Sequence, residues 1–353
     1  MKKIIYLGHH GKSVTGGHKY NDEFIDYLEE ISGVKIKLTP SCASKYKRWR
    51  KIISPFVELK YLNIFSKDSL VFFGDTTFKH HFLLALLNKL KRKSQSTIIV
   101  HHFPFIEGNG LAYKFNKWLM CKYVSLMDSI IVPSPFTLDV AKSLFPNKNI
   151  FYVPLPFERK FQKSSNYETG NLLYVGTIEE RKGLSYLIDA ISLLEDNKSI
   201  KLNIVGKIVD QAYYVKLQRK IKNLGLSDNV NFLGRVSDEK LTECYQKAEI
   251  FTFPSLLEGY GIVLVEAFNN GLPIICFNNS AMPYTVKNGI NGFVAKNKDT
   301  KDFSSKIQLL MGNNKLRGEL QNGIKETVKQ LKTREDFENA VESVYLKFVS
   351  DYE

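Results

Sequence analysis

The sequence of 353 residues is short of several things, and each shortage narrows its reading. No apolar run approaches the roughly 18 residues that a membrane-spanning helix needs. The opening, Met1, Lys2 and Lys3 before the apolar residues 4–7, is too brief for a signal peptide and runs directly into a strand pattern. A cytoplasmic protein is expected. Cysteine is rare: Cys42, Cys121, Cys244 and Cys276 are too far apart for a metal knuckle or a redox pair and read as reduced core thiols. Acidic residues are scarce in the first half only. Residues 1–160 hold 25 Lys and Arg against 12 Asp and Glu, whereas residues 161–353 hold 25 against 24. Nearly all of the net charge of +14 belongs to one half, which points to an anionic partner there: a membrane surface, a phosphorylated acceptor or a nucleic acid. A generally lysine-rich proteome is the plainer explanation, but it would enrich both halves alike. The basic half carries no zinc pattern, basic zipper or RNP-type motif, so no nucleic-acid partner is expected.

What is present suits a globular chain long enough for two domains, with 44% hydrophobic and 24% charged residues. Short apolar runs alternate with helical patterns. Strands are expected at residues 3–8, 34–39, 69–73, 97–101 and 129–132, then at 171–175, 201–205, 229–232, 250–254 and 273–276. Helices are expected at 18–32, 183–194, 212–224 and 333–349, and Gly16 and Gly17 close the loop before the first. This alternation implies parallel sheets built from right-handed βαβ units. The polar stretch 154–170 reads as a linker. Three parts follow: a Rossmann-like domain at 1–157, a second at 168–332, and a last helix within 333–353 that packs back on the first domain. Open parallel sheets bind ligands beyond the carboxyl ends of their strands, so the loops there are where chemistry is sought.

The sharpest of these loops lies in residues 253–268. A strand ends near Phe253, Glu258, Gly259, Tyr260 and Gly261 form a turn, and a helix follows. Free N–H groups at such a helix start attract a phosphate, and glycines let it approach the backbone. Glu266 falls about two turns after Glu258, where a carboxylate accepts two hydrogen bonds from a vicinal diol such as ribose. Glu258, at the helix mouth, could meet sugar hydroxyls. Two solvated glutamates on a strand–turn–helix are the plainer reading of the spacing alone; Pro254, Ser255 and the glycines argue for a site.

This segment resembles the Glu-x7-Glu signature of the retaining family 4 glycosyltransferases. The resemblance implies that Glu258 contacts the donor sugar, that Gly259, Tyr260 and Gly261 meet the diphosphate, and that Glu266 holds the ribose, with Ile262 a further donor contact. Residues 172–183 resemble the family's strand–Gly-Arg–loop–Lys-Gly element, in which an arginine and a lysine neutralise charge on the leaving diphosphate. Such electrostatic stabilisation is usually the largest catalytic contribution. Lys182 matches. Thr177 stands where the arginine after Gly176 is usual, so Arg181 is the candidate replacement. A basic helix start on a solvated surface is the alternative. Weaker matches are residues 231–236, with Arg235 among the implied donor contacts, residues 241–249, where Glu249 replaces an Asp, and residues 271–276 and 288–293. Tyr284 follows Pro283 where a Glu is frequent. In the first half, Gly16 and Gly17 match a pair that approaches the donor phosphate. His101 matches a strand-end histidine near the transferred sugar; a plain turn, and an ordinary core or surface histidine, are the alternatives.

The resemblance implies an α/β fold of the GT-B type, two Rossmann-like domains facing across a cleft. The first would bind the acceptor and the second the nucleotide-sugar, of UDP or GDP type. The implied activity is a retaining, metal-independent hexosyltransferase acting on a glycan or lipid-linked acceptor in bacterial surface polysaccharide or lipopolysaccharide biosynthesis. No Asp-x-Asp occurs to hold a divalent ion on the diphosphate, and neither metal nor cofactor is expected. Residues 44–56 place Tyr46, Trp49, Ile53 and Phe56 at helical spacing among basic residues, and a second basic cluster at 89–93 follows the apolar run 82–87. Such helices suit peripheral contact with the anionic inner face of a membrane, or else simply pack on their own domain. A non-catalytic sugar-nucleotide-binding or assembly subunit of this fold is the second reading, supported by Thr177.

Overall fold

The computed structural model describes residues 3–8, 16–39, 56, 58–91, 93–103, 110–162 and 166–350. The chain divides into two compact units, Met1–Pro156 with Lys332–Glu353, and Phe157–Leu331.

Unit one holds a parallel sheet of β1 (Lys3–Leu7), β2 (Lys37–Thr39), β3 (Ser69–Gly74), β4 (Gln95–Ile99), β5 (Ser129–Val132) and β6 (Asn149–Tyr152), in the order 2-1-3-4-5-6. Its crossover helices are α1 (Gly16–Ser32), α2 (Phe78–Lys91), α3 (Leu111–Leu126) and α4 (Pro135–Leu144). The central strands are apolar at almost every position because both faces of a parallel sheet are covered; Ile4, Ile5, Leu7, Leu70, Val71 and Ile98 are wholly buried. Ser134 caps α4 by accepting the Thr137 N–H at 3.0 Å, with Pro135 in the first helical position. The C-terminal helix, Arg334–Ser350, belongs to this unit. Its Phe337 meets Tyr20 edge-on at 6.0 Å, and its Phe348 meets Phe72 at 6.1 Å and Phe151 at 5.6 Å.

Unit two repeats the architecture with β7 (Asn171–Val175), β8 (Lys201–Val205), β9 (Val230–Gly234), β10 (Ile250–Phe253), β11 (Ile274–Phe277) and β12 (Gly292–Ala295), in the order 12-11-10-7-8-9. Its helices are α5 (Leu184–Ser192), α6 (Gln211–Asn223), α7 (Asp238–Lys247), α8 (Ile262–Asn269), α9 (Met282–Thr285), α10 (Thr300–Leu310) and α11 (Asn314–Lys329). Glu249, standing where the resemblance has an Asp, is wholly buried; it accepts the N–H groups of Gly170 at 2.7 Å and Gly312 at 2.8 Å. In each sheet the strand order reverses once, between β1 and β3 and between β7 and β10. An open sheet places its ligand crevice at such a reversal.

The structure departs from the sequence reading in several places. Strands β6 and β12 went unread, although residues 150–153 and 293–295 are apolar; both are four-residue edge strands, only partly buried. The first helix begins at Gly16, two residues before the expected start at residue 18, so Gly16 and Gly17 open α1. Strand β4 stops at Ile99, so His101 lies two residues past it. The expected linker at 154–170 is largely packed on unit two. There Gln162 N–H donates to Asn269 O at 2.7 Å, Arg159 Nε donates to Leu331 O at 2.9 Å, and the Phe157 and Tyr260 rings are 5.1 Å apart. Of the basic–aromatic stretch 44–56, all but Phe56 lies outside the described residues.

Candidate active site

Two loops leave the reversal point of unit two, residues 176–183 after β7 and residues 254–261 after β10. They are fastened to each other. Leu256 N–H donates to Arg181 O at 2.8 Å. Gly183 has a φ of +70°, and a Cβ there would sit 1.9 Å from Pro254 O, so only glycine fits. This fastening brings Lys182, at the end of the 3-10 turn Glu180–Lys182, to Glu258. The Lys182 ammonium pairs with Glu258 Oε1 and lies 5.3 Å from the centre of the Phe253 ring. The same carboxylate oxygen accepts Ser255 Oγ–H at 2.9 Å and lies 3.9 Å from the Arg181 guanidinium.

The Lys182 and Glu258 side chains are only 11% and 12% exposed, so each needs the other as counter-charge. Arg181, at 48%, reaches into solvent. Its guanidinium is steered by Glu179 Oε1 at 2.9 Å and Leu257 O at 3.2 Å. Thr177 Oγ1 donates to that same Glu179 oxygen at 2.7 Å, which links the position of the missing arginine to the arginine that is present. Beside this cluster an open depression of about 700 Å³ is lined by Glu179, Glu180, Arg181, Val209, Asp210 and Gln211.

The remaining sequence candidates in unit two lie on the elements and loops that follow. Gly176 N–H continues the sheet to Val205 O at 2.9 Å. Gly259 and Tyr260 form the turn before α8, Gly261 caps it in the left-handed region at φ +82°, and Ile262 opens the helix. Glu266, on the second turn, accepts the Tyr245 hydroxyl at 2.9 Å. Burial, and then the Glu266 charge, push the Tyr245 phenol well above its ordinary pKa and keep it a donor. Arg235 follows β9 and is exposed.

In unit one the structure brings Gly17 against His101: a Cβ on Gly17 would be 3.3 Å from the imidazole. His101 N–H donates to Asp75 Oδ2 at 2.8 Å, and its Nε2 is 2.9 Å from Asn21 Oδ1. Burial holds the imidazole below its ordinary pKa, against the pull of the Asp75 charge and with help from His102 and His18. Gly16 opens the same helix.

One residue at the centre had no signal in the sequence. Ser280 Oγ accepts the Glu258 N–H at 3.0 Å and donates to Asn279 Oδ1 at 2.9 Å. Its φ is +43°, rare for a residue with a Cβ. Asn279 Nδ2 donates to Ser255 O at 3.2 Å, so the loop after β11 braces the Glu258 turn from below. Ser255, by contrast, stands inside the motif and was legible there.

Residues 156–327 match the family profile of the glycosyl transferases group 1. Sucrose-phosphate synthase from Thermosynechococcus elongatus superposes with a TM-score of 0.80 at 16% identity, over 99% of this chain and 100% of that one. The fold is GT-B. A second GT-B structure, Anabaena HepE in complex with UDP and glucose, gives a TM-score of 0.70 at 15% identity over 99% of this chain and 100% of that one. Among curated relatives, the O-antigen chain mannosyltransferase B of Escherichia coli is 30% identical over 157 residues, 43% of this chain and 39% of that protein. The chain spans 61% and 39% of the lengths of the first two curated relatives it matches. Together these likenesses show the fold, and a similarity of residues 156–327 to glycosyl transferases.

Proposed function

We propose that the protein is a retaining hexosyltransferase that moves a sugar from a UDP- or GDP-sugar to a glycan or lipid-linked acceptor, in the synthesis of a bacterial surface polysaccharide or lipopolysaccharide. The Lys182–Glu258 pair, with Arg181 at 3.9 Å from the same carboxylate, carries this reading. Two cations and one carboxylate at the strand-order reversal suit a sugar diphosphate: Lys182 and Arg181 take the phosphate oxygens, and Glu258 turns to the sugar hydroxyls. Preorganised charge of this kind is usually the largest catalytic term. The N–H groups at the start of α8, behind Gly259, Tyr260 and Gly261, add to the anion site. Glu266 holds the ribose, and Gly176, Thr177, Arg235 and Ile262 complete the donor contacts.

Transfer then runs on the front face, and the leaving diphosphate takes the proton of the acceptor hydroxyl. Gly16, Gly17 and a neutral His101 are the candidate functional residues of unit one, which binds the acceptor. Lys182 and Arg181 supply the positive charge, with no metal. The UDP and glucose in HepE favour a UDP-type donor, and the name of the E. coli relative favours a glycan acceptor. Cytoplasmic placement, with peripheral contact to the anionic membrane face through the basic half, belongs to the same proposal.

Glu258→Ala and Lys182→Met are expected to lower kcat by about 10²–10³-fold. Activity is expected to persist in EDTA. Thermal-shift screening should show stabilisation by one class of nucleotide-sugar. Product anomeric configuration, read by NMR, decides the stereochemistry; an inverted product rejects the retaining assignment.

A further inference from the structure

Helix α3 of unit one has two apolar faces. The inner one, Met120, Tyr123 and Val124, is buried in the core. On the opposite side Leu111, Phe115 and Trp118 recur four and three residues apart and are 87%, 59% and 54% exposed. The Phe115 and Trp118 rings stack at 6.0 Å. Lys122 continues the line, and Lys114 and Lys117 border it; all three are exposed. Helix α3 contains no acidic residue, and residues 78–126 as a whole hold eight Lys and Arg against Glu107 alone. Single apolar residues on a surface need no explanation. Three in helical register, with an indole among them and a cationic border, do.

We propose that the outer face of α3 docks on an anionic lipid bilayer. Leucine, phenylalanine and tryptophan on one helix face enter the headgroup–acyl boundary, while lysine stems lie along it and hold their ammonium groups at the lipid phosphates. A second copy of the chain is the poorer occupant, because a two-fold contact through this face would set the lysines of one copy against those of the other. The location suits an enzyme served from a membrane. A crossover helix begins beside the carboxyl ends of the strands, so the exposed first half of α3 lies at the edge of the unit-one sheet where ligands bind. The proposal rests on the membrane contact proposed above and assigns it to a surface other than residues 44–56 or 82–93.

Flotation of the full chain with vesicles of phosphatidylcholine alone, and of phosphatidylcholine with phosphatidylglycerol, tests it. The protein should float with the anionic vesicles only, and less so in high salt. The variants Phe115→Ser/Trp118→Ser and Lys114→Glu/Lys117→Glu/Lys122→Glu should each lower that binding by at least about tenfold, with unchanged Tm. In a Trp49→Phe background, Trp118 emission should shift to the blue on vesicle addition. Failure of the wild type to float, variants that float as well as wild type, or an unmoved Trp118 emission would overturn the proposal. So would a dimer, seen by sedimentation without lipid, that the same variants abolish. Sugar transfer to a soluble acceptor, assayed in parallel, keeps the two proposals apart: its absence counts against the enzymatic reading and leaves the vesicle result standing.

Discussion

Glu258 shows how little a catalytic candidate owes to its own residue type. Its carboxylate is aimed by Lys182 and Ser255, and its backbone by Ser280. Ser280→Ala removes the acceptor of the Glu258 N–H. The expected result is a kcat lower by about tenfold with KM little changed, since a partly buried unpaired N–H costs about 1–3 kcal/mol and loosens the turn. Ser280→Asn, which tolerates left-handed backbone and retains a side-chain acceptor, should recover part of the loss. Steady-state kinetics on the three proteins checks this; equal kcat values would remove Ser280 from the positioning role.

A second residue-scale expectation concerns stability. His81 is wholly buried, 2.9 Å from Thr77 Oγ1, and burial pulls its imidazole down to about 3. An unfolded histidine titrates near 6.5, so above that pH neither state holds the extra proton. Between pH 7 and pH 5 the unfolded chain takes up a proton that the folded chain refuses, at a cost to the folded state of about 2 kcal/mol. The gap in Tm between wild type and His81→Asn should therefore narrow as the pH falls through this window. A constant gap in thermal denaturation would contradict it.

At the scale of elements, the central strands were legible because a covered parallel strand must be apolar throughout, as β3 and β5 are. The strands β6 and β12 are short and only partly buried, and apolar runs as brief as 150–153 and 293–295 do not by periodicity alone tell a strand from another packed segment. The loops of unit two depend on a contact that no local pattern announces. Gly183 sits so close to Pro254 O that any side chain must drive the two loops apart. Gly183→Ala should lower stability by at least about 2 kcal/mol, combining left-handed strain with the clash, and should lower transfer activity along with it. Thermal denaturation and a donor-binding titration on the same sample would show both losses; a variant as stable as wild type would refute the account.

At the scale of the whole chain, the last helix returns to the unit formed by the first residues. Phe348 is 1% exposed against the aromatic rings of Phe72 and Phe151. Phe348→Ala should cost about 3–5 kcal/mol, and hydrogen exchange should rise in β3 and β6 while unit two is unaffected. The sequence by itself determined the residue types of the candidate site, the two α/β halves and the placement of charge, because motif spacing, apolar runs and composition are local properties. Only the tertiary structure decided that Lys182 meets Glu258 across 76 positions, that Arg181 joins them, and that Ser280 supports the turn. Those contacts exist because β10 returns to lie beside β7, and a strand order is a long-range choice that no short stretch of residues encodes.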